Sequence, residues 1–301
     1  GCAASASSSV SLTPAPSPTP GATAAPTQGP TASAATTPES DPVLIAAGDI
    51  ANCELKGAAK TAALIQGIEG TVLTLGDNAY PSGSDATYID CYGPTWGAFL
   101  DRTHPTVGNH DLMADGGAAY HRYFGDRAGA PGEGWYSFDI GDWHVVVLNS
   151  NCELIACGRG SPQNDWLTAD LAASSAECTL AAMHHPRFSS GPHGDYLPVV
   201  PLWEALDAAD VDLLLVGHDH LFERFAPQDA AGYAMPDGLR EITVGTGGNT
   251  LYAAERVAPN SELIIDDSWG VLVLTLHPDS YDWSFVGVDG AELDSGSADC
   301  H

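Results

Sequence analysis

The sequence predicts an α/β domain over residues 42–301, preceded by a tail at residues 1–41 that does not fold. Short apolar runs recur along residues 42–301 and alternate with stretches of helical pattern, which is typical of layered helices and strands. The first 38 residues contain neither a charged nor an aromatic side chain and consist almost entirely of Ala, Ser, Thr, Pro and Gly. Such a segment cannot bury enough apolar surface to fold. We therefore expect one domain of ordinary size behind a disordered tail.

Seven apolar runs account for the expected strands. They lie at 43–47, 72–75, 145–148, 180–183, 211–216, 242–244 and 271–274. Helices are expected between them, at 58–68, 162–171 and 199–209. Ser161 as N-cap and Pro162 at the first helical position mark the start of the second helix. Because the last third of the chain is rich in strands, we expect a second sheet.

The charge balance narrows the choice of partners. Asp and Glu number 39 against 10 Lys and Arg, for a formal charge of -29, and the tail carries no charge before Glu39. Nucleic acid and anionic membranes are held mainly by Lys and Arg, so we do not expect either as a bulk partner. A small phosphorylated substrate remains compatible, because cations bound in a cleft dominate the local field. The charge also has a simpler interpretation, which is solubility.

The first residues resemble an export signal. Gly1 and Cys2, followed by a tract of Ser, Ala, Thr and Pro, resemble the end of a bacterial lipobox, in which the cysteine becomes lipidated. A chance cysteine is the alternative. The chain contains no run of about 18 apolar residues that would span a membrane. We therefore expect an extracellular or cell-surface protein, anchored to the membrane through Cys2 as a bacterial lipoprotein.

The other six cysteines agree with export, because an even number in a secreted chain indicates disulfides. Six cysteines allow 15 pairings, so the connectivity stays open. One bond would close a short loop, another would tie the loops after the first two ligand strands, and the third follows by elimination. These pairs are Cys152 with Cys157, Cys53 with Cys91, and Cys178 with Cys300. Free buried thiols are the alternative.

Five short clusters of metal-binding side chains each follow an apolar run. Strand ends that deliver Asp, Asn or His to one edge can form a shared metal site, and a preceding glycine lets the backbone turn sharply. One such cluster would mean little, whereas five in series indicate a two-metal hydrolase. Asp77 is the candidate bridging carboxylate of a pair that generates hydroxide and binds a phosphoryl group. The clusters contain Asp49; Asp77 and Tyr80; Asn109 and His110; His184 and His185; and His218 and His220.

The motifs GD, GDNAY, GNHD, HH and GHDH, in this order between about residues 43 and 224, resemble those of the calcineurin-like metallophosphoesterases. The tyrosine three residues after the second aspartate is similar to that of the purple acid phosphatases. The resemblance implies a four-layer αββα sandwich, with two mixed sheets flanked by helices and the metals at strand ends. It implies Asp49, Asp77, Tyr80 and His220 on the first metal, and Asp77, Asn109, His184 and His218 on the second.

The resemblance also implies the identity of the metals. Tyr80 would bind Fe(III) as a phenolate, because a strongly acidic cation is needed to remove a proton with a pKa of about 10. The second site would hold Fe(II), Zn or Mn. A tyrosine that only packs in the loop is the alternative interpretation.

Two histidines are the expected catalytic residues by the same resemblance. His110 follows a ligand, and His193 lies nine residues after His184. Either could donate a hydrogen bond to the phosphoryl oxygens or protonate the leaving alkoxide. His185 and Asp111 are expected to orient ligands. Arg187 would either contact substrate phosphate or pair with an acidic residue.

The prediction is therefore a secreted or tethered dinuclear phosphatase that hydrolyses phosphate monoesters through hydroxide generated at the metal pair. A nucleotidase or phosphodiesterase using the same site is the alternative enzyme. An alternative of another class is a metal-binding surface lipoprotein without turnover. Tyr92, Trp96 and Tyr120 could stack on a nucleotide or aryl group, although packing is the default for each. The natural substrate and the oligomeric state stay open.

Overall fold

A computed structural model describes residue 11, residues 13–17 and residues 41–301. Residues 11 and 13–17 are exposed and belong to no helix or strand. The rest of the expected tail before residue 41, including the proposed lipidation site Cys2, lies outside the described residues. In the part of the chain that the structure describes, none of the helices combines the length and apolar character needed to cross a membrane.

Thirteen strands and six α-helices form residues 41–301. The strands are β1 (Val43–Ala47), β2 (Thr71–Leu75), β3 (Thr103–Thr106), β4 (Tyr136–Ile140), β5 (Trp143–Val147), β6 (Cys178–Ala182), β7 (Leu213–Val216), β8 (Phe222–Phe225), β9 (Arg240–Val244), β10 (Ser261–Ile265), β11 (Gly270–Leu276), β12 (Ser280–Gly287) and β13 (Glu292–Asp299). The helices are α1 (Gly57–Ile65), α2 (Asp85–Thr87), α3 (Asn109–Met113), α4 (Ala118–Phe124), α5 (Pro162–Ala173) and α6 (Val200–Asp207). Single π or 3₁₀ segments lie at Tyr88–Tyr92, Trp96–Arg102, Gly125–Ala128 and Leu197–Val199.

The strands form two mixed sheets. Sheet 1 has the order β13-β12-β11-β1-β2-β3, and sheet 2 has the order β10-β8-β9-β7-β6-β5-β4. In sheet 1 the neighbours β1, β2 and β3 are parallel, and in sheet 2 the parallel neighbours are β5, β6, β7 and β9. The remaining pairs are antiparallel. The expected second sheet is therefore present.

The two faces of sheet 2 pack into different layers, as the alternation of side chains along a strand requires. Val145 and Val147 of β5 belong to the apolar core that also contains the strands of sheet 1. Val146 between them belongs to a second core with Leu167 of α5 and Trp203 of α6. Helix α1 covers sheet 1 through its contacts with β11. This arrangement confirms the predicted sandwich of two mixed sheets flanked by helices.

Each of the seven apolar runs overlaps a strand, although β7 begins two residues after the start of its run, and β5 and β6 each end one residue before the end of theirs. Ser161 caps α5 as expected, since its hydroxyl accepts a hydrogen bond from Asn164 N at 3.3 Å. Helix α1 ends at Ile65, three residues short of the expected end. The sequence patterns missed the amphipathic and exposed strands, above all β12 and β13.

Three disulfides join the six cysteines in the expected pairs: Cys53–Cys91, Cys152–Cys157 and Cys178–Cys300. The first ties the loop after β1 to the segment after β2, and the second closes a loop after β5. The third connects the first residue of β6, in sheet 2, to the residue after β13, in sheet 1. The two sheets are therefore covalently joined at one edge.

Candidate metal centre

The predicted ligands follow the parallel strands at a constant offset. Asp49, Asp77, His184 and His218 each lie two residues beyond the end of β1, β2, β6 and β7 respectively. Asn109 lies three residues beyond β3, at the first position of α3. Carboxyl ends of parallel strands meet at one edge of a sheet, where α/β folds commonly bind ligands. The site therefore lies at the edge opposite to the Cys178–Cys300 disulfide.

Three of these residues adopt an unusual backbone conformation. Asp49, Asp77 and His218 have positive φ angles of 60°, 49° and 70°. The left-handed region is costly for residues with a Cβ and occurs most often at functional sites. The glycine before Asp77 is needed for space as well, since a Cβ on Gly76 would lie 2.5 Å from Nδ1 of His184. The turns thus bring the side chains of both sheets into contact.

One group of predicted ligands surrounds the hydroxyl of Tyr80. The hydroxyl oxygen lies 2.8 Å from Oδ1 of Asp49 and 2.8 Å from Oδ2 of Asp77. Nε2 of His220 lies 3.2 Å from the same hydroxyl and 3.2 Å from Oδ1 of Asp49. All four side chains are buried.

A second group surrounds Nε2 of His184. This atom lies 3.0 Å from Oδ1 of Asn109, 3.2 Å from Nδ1 of His218 and 3.4 Å from Oδ2 of Asp77. Oδ2 of Asp77 thus belongs to both groups. The other oxygen of Asp77 accepts a hydrogen bond from the backbone N of His110 at 2.7 Å.

Backbone carbonyls fix the imidazole orientations. Nδ1 of His184 lies 2.8 Å from the carbonyl oxygen of Leu75, and Nδ1 of His220 lies 2.5 Å from that of Thr250. A carbonyl oxygen only accepts, so each Nδ1 carries the proton and each Nε2 faces the cluster. Sequence reasoning missed these two carbonyls. Asp111, which is expected to orient ligands, accepts hydrogen bonds from the backbone N of Asn78 and of Gly108, the neighbours in sequence of the proposed ligands Asp77 and Asn109.

The hydrogen-bond inventory of the cluster fits a cation. The Tyr80 hydroxyl carries one proton but faces three acceptors, since the Nδ1 proton of His220 already points to Thr250. The space around Nε2 of His184 is likewise bordered by an amide oxygen, an imidazole nitrogen and a carboxylate. Mixed carboxylate, amide and imidazole donors suit transition metals. In the described residues, Asp49, Asp77 and His184 form one group whose ligand atoms lie within 4.8 Å of one another, and His184, His185 and His218 form another.

The pKa shifts within the cluster also indicate a site for a cation. Burial opposes ionisation of Asp77, but the neighbouring His184 and His110 lower the pKa of this carboxyl. Burial disfavours protonated His184, yet Asp77 and Asp49 raise the pKa of the ring to about 9. Burial, together with Asp49 and Asp77, raises the pKa of the Tyr80 phenol well above its usual value of 10. Protein groups alone therefore keep Tyr80 protonated, and only a strongly acidic cation would ionise it.

The two expected catalytic histidines flank the cluster from opposite sides. The ring of His110 lies 4.5 Å from that of Tyr80, and its Nε2 lies 3.9 Å from Oδ2 of Asp77. His193 is exposed, and its ring lies 4.3 Å from that of His218. The structure thus brings both of them to the edge of the cluster.

Other candidate residues have different surroundings. His185 is buried, contacts the Ser150 hydroxyl at 2.9 Å and stacks on Tyr196. Arg187 is buried and donates to the carbonyl oxygen of Ala230 at 3.0 Å, so it packs in the core instead of meeting a phosphate. The aromatic residues that were considered for substrate stacking are fully buried; these are Tyr92, Trp96 and Tyr120.

Sequence reasoning also missed an aromatic residue beside the cluster. The ring of Tyr252 stacks on His220, with a centroid distance of 4.0 Å and an interplanar angle of 11°. Tyr252 lies on the loop between β9 and β10, in no recognisable motif, so the printed sequence carries no signal for this contact.

Two mixed sheets between helices, with Asp, Asn, Tyr and His side chains converging beyond parallel strands, define a protein of the metallophosphoesterase class. The chain belongs to the calcineurin-like phosphoesterase family, whose model matches residues 42–222. The predicted resemblance is thereby confirmed.

Known relatives refine this similarity. Purple acid phosphatase 18 of Arabidopsis thaliana is 27% identical over 189 residues, which cover 55% of this chain and 42% of the relative. The phosphoenolpyruvate phosphatase of Allium cepa is 28% identical over 245 residues, covering 68% of this chain and 49% of the relative. The structure of a purple acid phosphatase from yellow lupin (Lupinus luteus) seeds superposes with a TM-score of 0.68 at 16% identity, covering 86% of this chain and 54% of that one. The chain thus spans about half the length of these relatives, and the lupin structure supports the fold alone.

Proposed function

We propose that this protein is a dinuclear metal-dependent phosphatase that hydrolyses phosphate monoesters outside the cell. The observation that carries the proposal is the convergence of seven donor side chains into two groups that share Oδ2 of Asp77. A carboxylate oxygen common to both groups can bridge two cations about 3.5 to 4 Å apart. Because the chain belongs to a phosphoesterase family, hydrolysis of a phosphate ester is the reaction expected of such a metal pair.

The first group would hold Fe(III), and the second would hold Fe(II), Zn or Mn. The first contains Asp49, Asp77, Tyr80 and His220, and the second contains Asp77, Asn109, His184 and His218. Tyr80 supports the assignment of Fe(III), because its phenol faces two carboxylates and ionises only beside a strongly acidic cation. When bound, such a pair lowers the pKa of water and polarises a phosphoryl group.

His110 and His193 would bind the substrate and move protons. Nδ1 of His110 donates a hydrogen bond to the carbonyl oxygen of Pro81 at 2.6 Å, so Nε2 is an acceptor in the neutral ring and a donor only in the imidazolium form. A protonated His110 beside Asp77 would donate to a phosphoryl oxygen or to the leaving alkoxide. His193, on the exposed side of His218, is available for the same two roles.

Location outside the cell is part of the proposal. Three disulfides are typical of proteins that fold in an oxidising compartment. Lipidation of Cys2 would tether the domain to a membrane surface. Labelling with a radioactive fatty acid tests the anchor when the protein is expressed behind a lipoprotein signal peptide and compared with its Cys2→Ser variant; equal labelling of both would exclude it.

Activity is tested with p-nitrophenyl phosphate and its bis-ester, on protein whose metal content has been measured. We expect faster turnover of the monoester, about two metal ions per chain and a visible absorption band from the Fe(III) phenolate. Asn109→Ala should lower turnover of the monoester by about 100-fold or more. Asn164→Ala, the same substitution in α5, is the control and should leave turnover unchanged.

The outcomes separate the alternatives. Preference for the bis-ester would indicate a phosphodiesterase at the same site. A fully metallated protein without turnover would contradict hydrolysis and favour a metal-binding surface protein. A colourless protein without iron would contradict the assignment of Tyr80 alone.

A further inference from the structure

The loop that carries His193 is wrapped around one buried carboxylate. This carboxylate belongs to Asp219, which lies in the turn after β7, between the proposed ligands His218 and His220. We propose that Asp219 is a positioning residue that fixes His193 over the metal centre. This inference rests on the proposed function, because it assigns a task to a histidine that acts on the substrate.

Both carboxylate oxygens of Asp219 bind the loop. Oδ1 accepts a hydrogen bond from the backbone N of His193 at 3.1 Å, and Oδ2 accepts one from the hydroxyl of Ser189. The same hydroxyl accepts a hydrogen bond from the backbone N of Gly191 at 2.9 Å. Residues 189–193 therefore close a ring of hydrogen bonds around the carboxylate. Such bonds to an ionised acceptor are stronger than those between neutral groups.

The contact is also close in space. Asp219 has 0% exposure, and a Cβ at Gly191 would collide with its carboxylate carbon. The loop backbone thus lies directly on the side chain, with no room for an intervening water. Any substitution that shortens residue 219 removes the surface on which the loop rests.

His193 depends on this contact for its position. In the part of the chain that the structure describes, the backbone N of His193 donates a hydrogen bond to Asp219, and the rings of His218 and Tyr252 lie 4.3 Å and 5.7 Å from the ring of His193. Asp219 itself is held by the turn, since its backbone N donates to Gly217 O at 2.9 Å and its O accepts from Leu221 N at 2.7 Å. One turn therefore carries two proposed ligands, His218 and His220, and sets the place of the proposed acid. Displacements of about 1 Å in such groups can cost about 100-fold in rate.

Asp195 provides a matched control in the same loop. It accepts a hydrogen bond from Ser189 N at 3.1 Å and one from Arg256 at 2.5 Å, and neither bond involves His193. A variant at this position disturbs the loop without removing the hydrogen bond to the His193 backbone.

The test compares phenyl phosphate, whose leaving group is strongly basic, with dinitrophenyl phosphate, whose leaving group needs little protonation. We expect Asp219→Ala to lower kcat for phenyl phosphate by about 10- to 100-fold and to change dinitrophenyl phosphate hydrolysis by less than about 3-fold. Asp219→Asn keeps an acceptor oxygen and should recover most of the loss. The double variant Asp219→Ala, His193→Ala should lose no more kcat than His193→Ala alone, because Asp219 acts only through the position of His193. Asp195→Ala should resemble the unchanged protein.

A second measurement does not depend on turnover. Hydrogen exchange at the His193 amide should be slow in the unchanged protein and in Asp195→Ala, and at least about 10-fold faster in Asp219→Ala. Unchanged exchange, equal losses for both aryl phosphates, or additive losses in the double variant would each overturn the proposal. Metal loss from both Asp219 variants would also overturn it, in favour of a role in the ligand turn. These results leave the proposed function standing, whereas absence of turnover in the unchanged, metallated protein would overturn that function and the catalytic use of His193 together.

Discussion

Sheet 1 supplies the oxygen donors of the candidate centre, whereas sheet 2 supplies its nitrogen donors. Asp49, Asp77, Tyr80 and Asn109 follow β1, β2 and β3, and His184, His218 and His220 follow β6 and β7. Neither sheet alone presents a ligand set for a mixed-donor metal pair. Because the oxygen donors follow one sheet and the nitrogen donors follow the other, the donor set is complete only where the two sheets meet. The geometry of the site therefore depends on how the sheets pack.

The two halves are also held by different means. On the side of sheet 1, the Cys53–Cys91 disulfide and the hydrogen bonds of Asp111 hold the loops. On the side of sheet 2, buried carboxylates hold the loop after β6: Glu241 accepts from the backbone N of Arg187 and of Phe188, at 3.0 and 3.1 Å. Because the Cys53–Cys91 disulfide joins two ligand loops, we expect reduction to affect the sheet 1 half more. Burial raises the pKa of Glu241 to about 8 and that of Asp111 only to about 6, so we expect alkaline pH to affect the sheet 2 half more.

The largest effect should come from the residue common to both donor groups. Asp77→Ala removes the shared oxygen, and we expect kcat for p-nitrophenyl phosphate to fall by about 10⁴-fold, together with loss of bound metal. Asp142→Ala, at an exposed position, is the control. More than one-tenth of the original activity in Asp77→Ala would show that the two groups do not act as a pair.

The pH dependence of sheet 2 follows from Glu241. Burial outweighs the two backbone hydrogen bonds and raises the pKa of Glu241 from 4.5 to about 8. The folded state thus holds a proton that the unfolded chain has lost between pH 4.5 and 8, so stability falls as pH rises through this window. The fall should be on the order of 4 kcal/mol, measured by urea unfolding at pH 5 and pH 8.5.

Glu241→Gln should flatten this pH dependence, because the amide does not titrate. Glu133→Gln, at an exposed position, should leave it as it is. Equal slopes for the Glu241→Gln variant and the unchanged protein would mean that Glu241 is already ionised in the folded state.

The disulfide of the sheet 1 half should contribute more to the free energy of unfolding than the short-loop disulfide after β5 of sheet 2. Replacing Cys53 and Cys91 by Ala releases a loop of sequence separation 38, whereas replacing Cys152 and Cys157 releases one of separation 5. Chain entropy predicts losses of about 4 and about 2 kcal/mol in the free energy of unfolding. Because the first pair joins the loops beyond Asp49 and Asp77, its removal should also lower turnover more. A larger loss of stability or turnover after removal of the Cys152–Cys157 bond would contradict the prediction that the sheet 1 half depends more on its disulfide.

We expect the smallest effect on turnover from removal of the phenol oxygen of Tyr80, in the loop after β2 of sheet 1. Tyr80→Phe keeps the ring but removes the phenol, so the visible band should vanish while kcat falls by about 10- to 100-fold. Tyr233→Phe, on an exposed residue, should change neither. A band that persists in Tyr80→Phe would assign the colour to another group.

Sequence reasoning recovered the ligand clusters after β1, β2, β6 and β7 because apolar runs mark the ends of these strands. Strand β3 has no apolar run and was not predicted, so Asn109 and His110 were recognised from the GNHD motif instead. It could not find the carbonyls of Leu75 and Thr250, since a backbone oxygen has no sequence signature. Tyr252 and Asp219 were missed because their contacts depend on how distant loops pack. Strand β12 escaped because its buried residues alternate with partly exposed ones, and β13 escaped because it is largely exposed and lacks an apolar run.

The disulfide between Cys178 and Cys300 links the two sheets covalently, whatever the state of the metal site. It lies at the edge opposite to the candidate metal centre. The two sheets also share one apolar core, which contains Val145 and Val147 of β5 together with the strands of sheet 1. Removal of bound metal would therefore leave the packing of the sheets intact, and the donor groups would keep their places for rebinding.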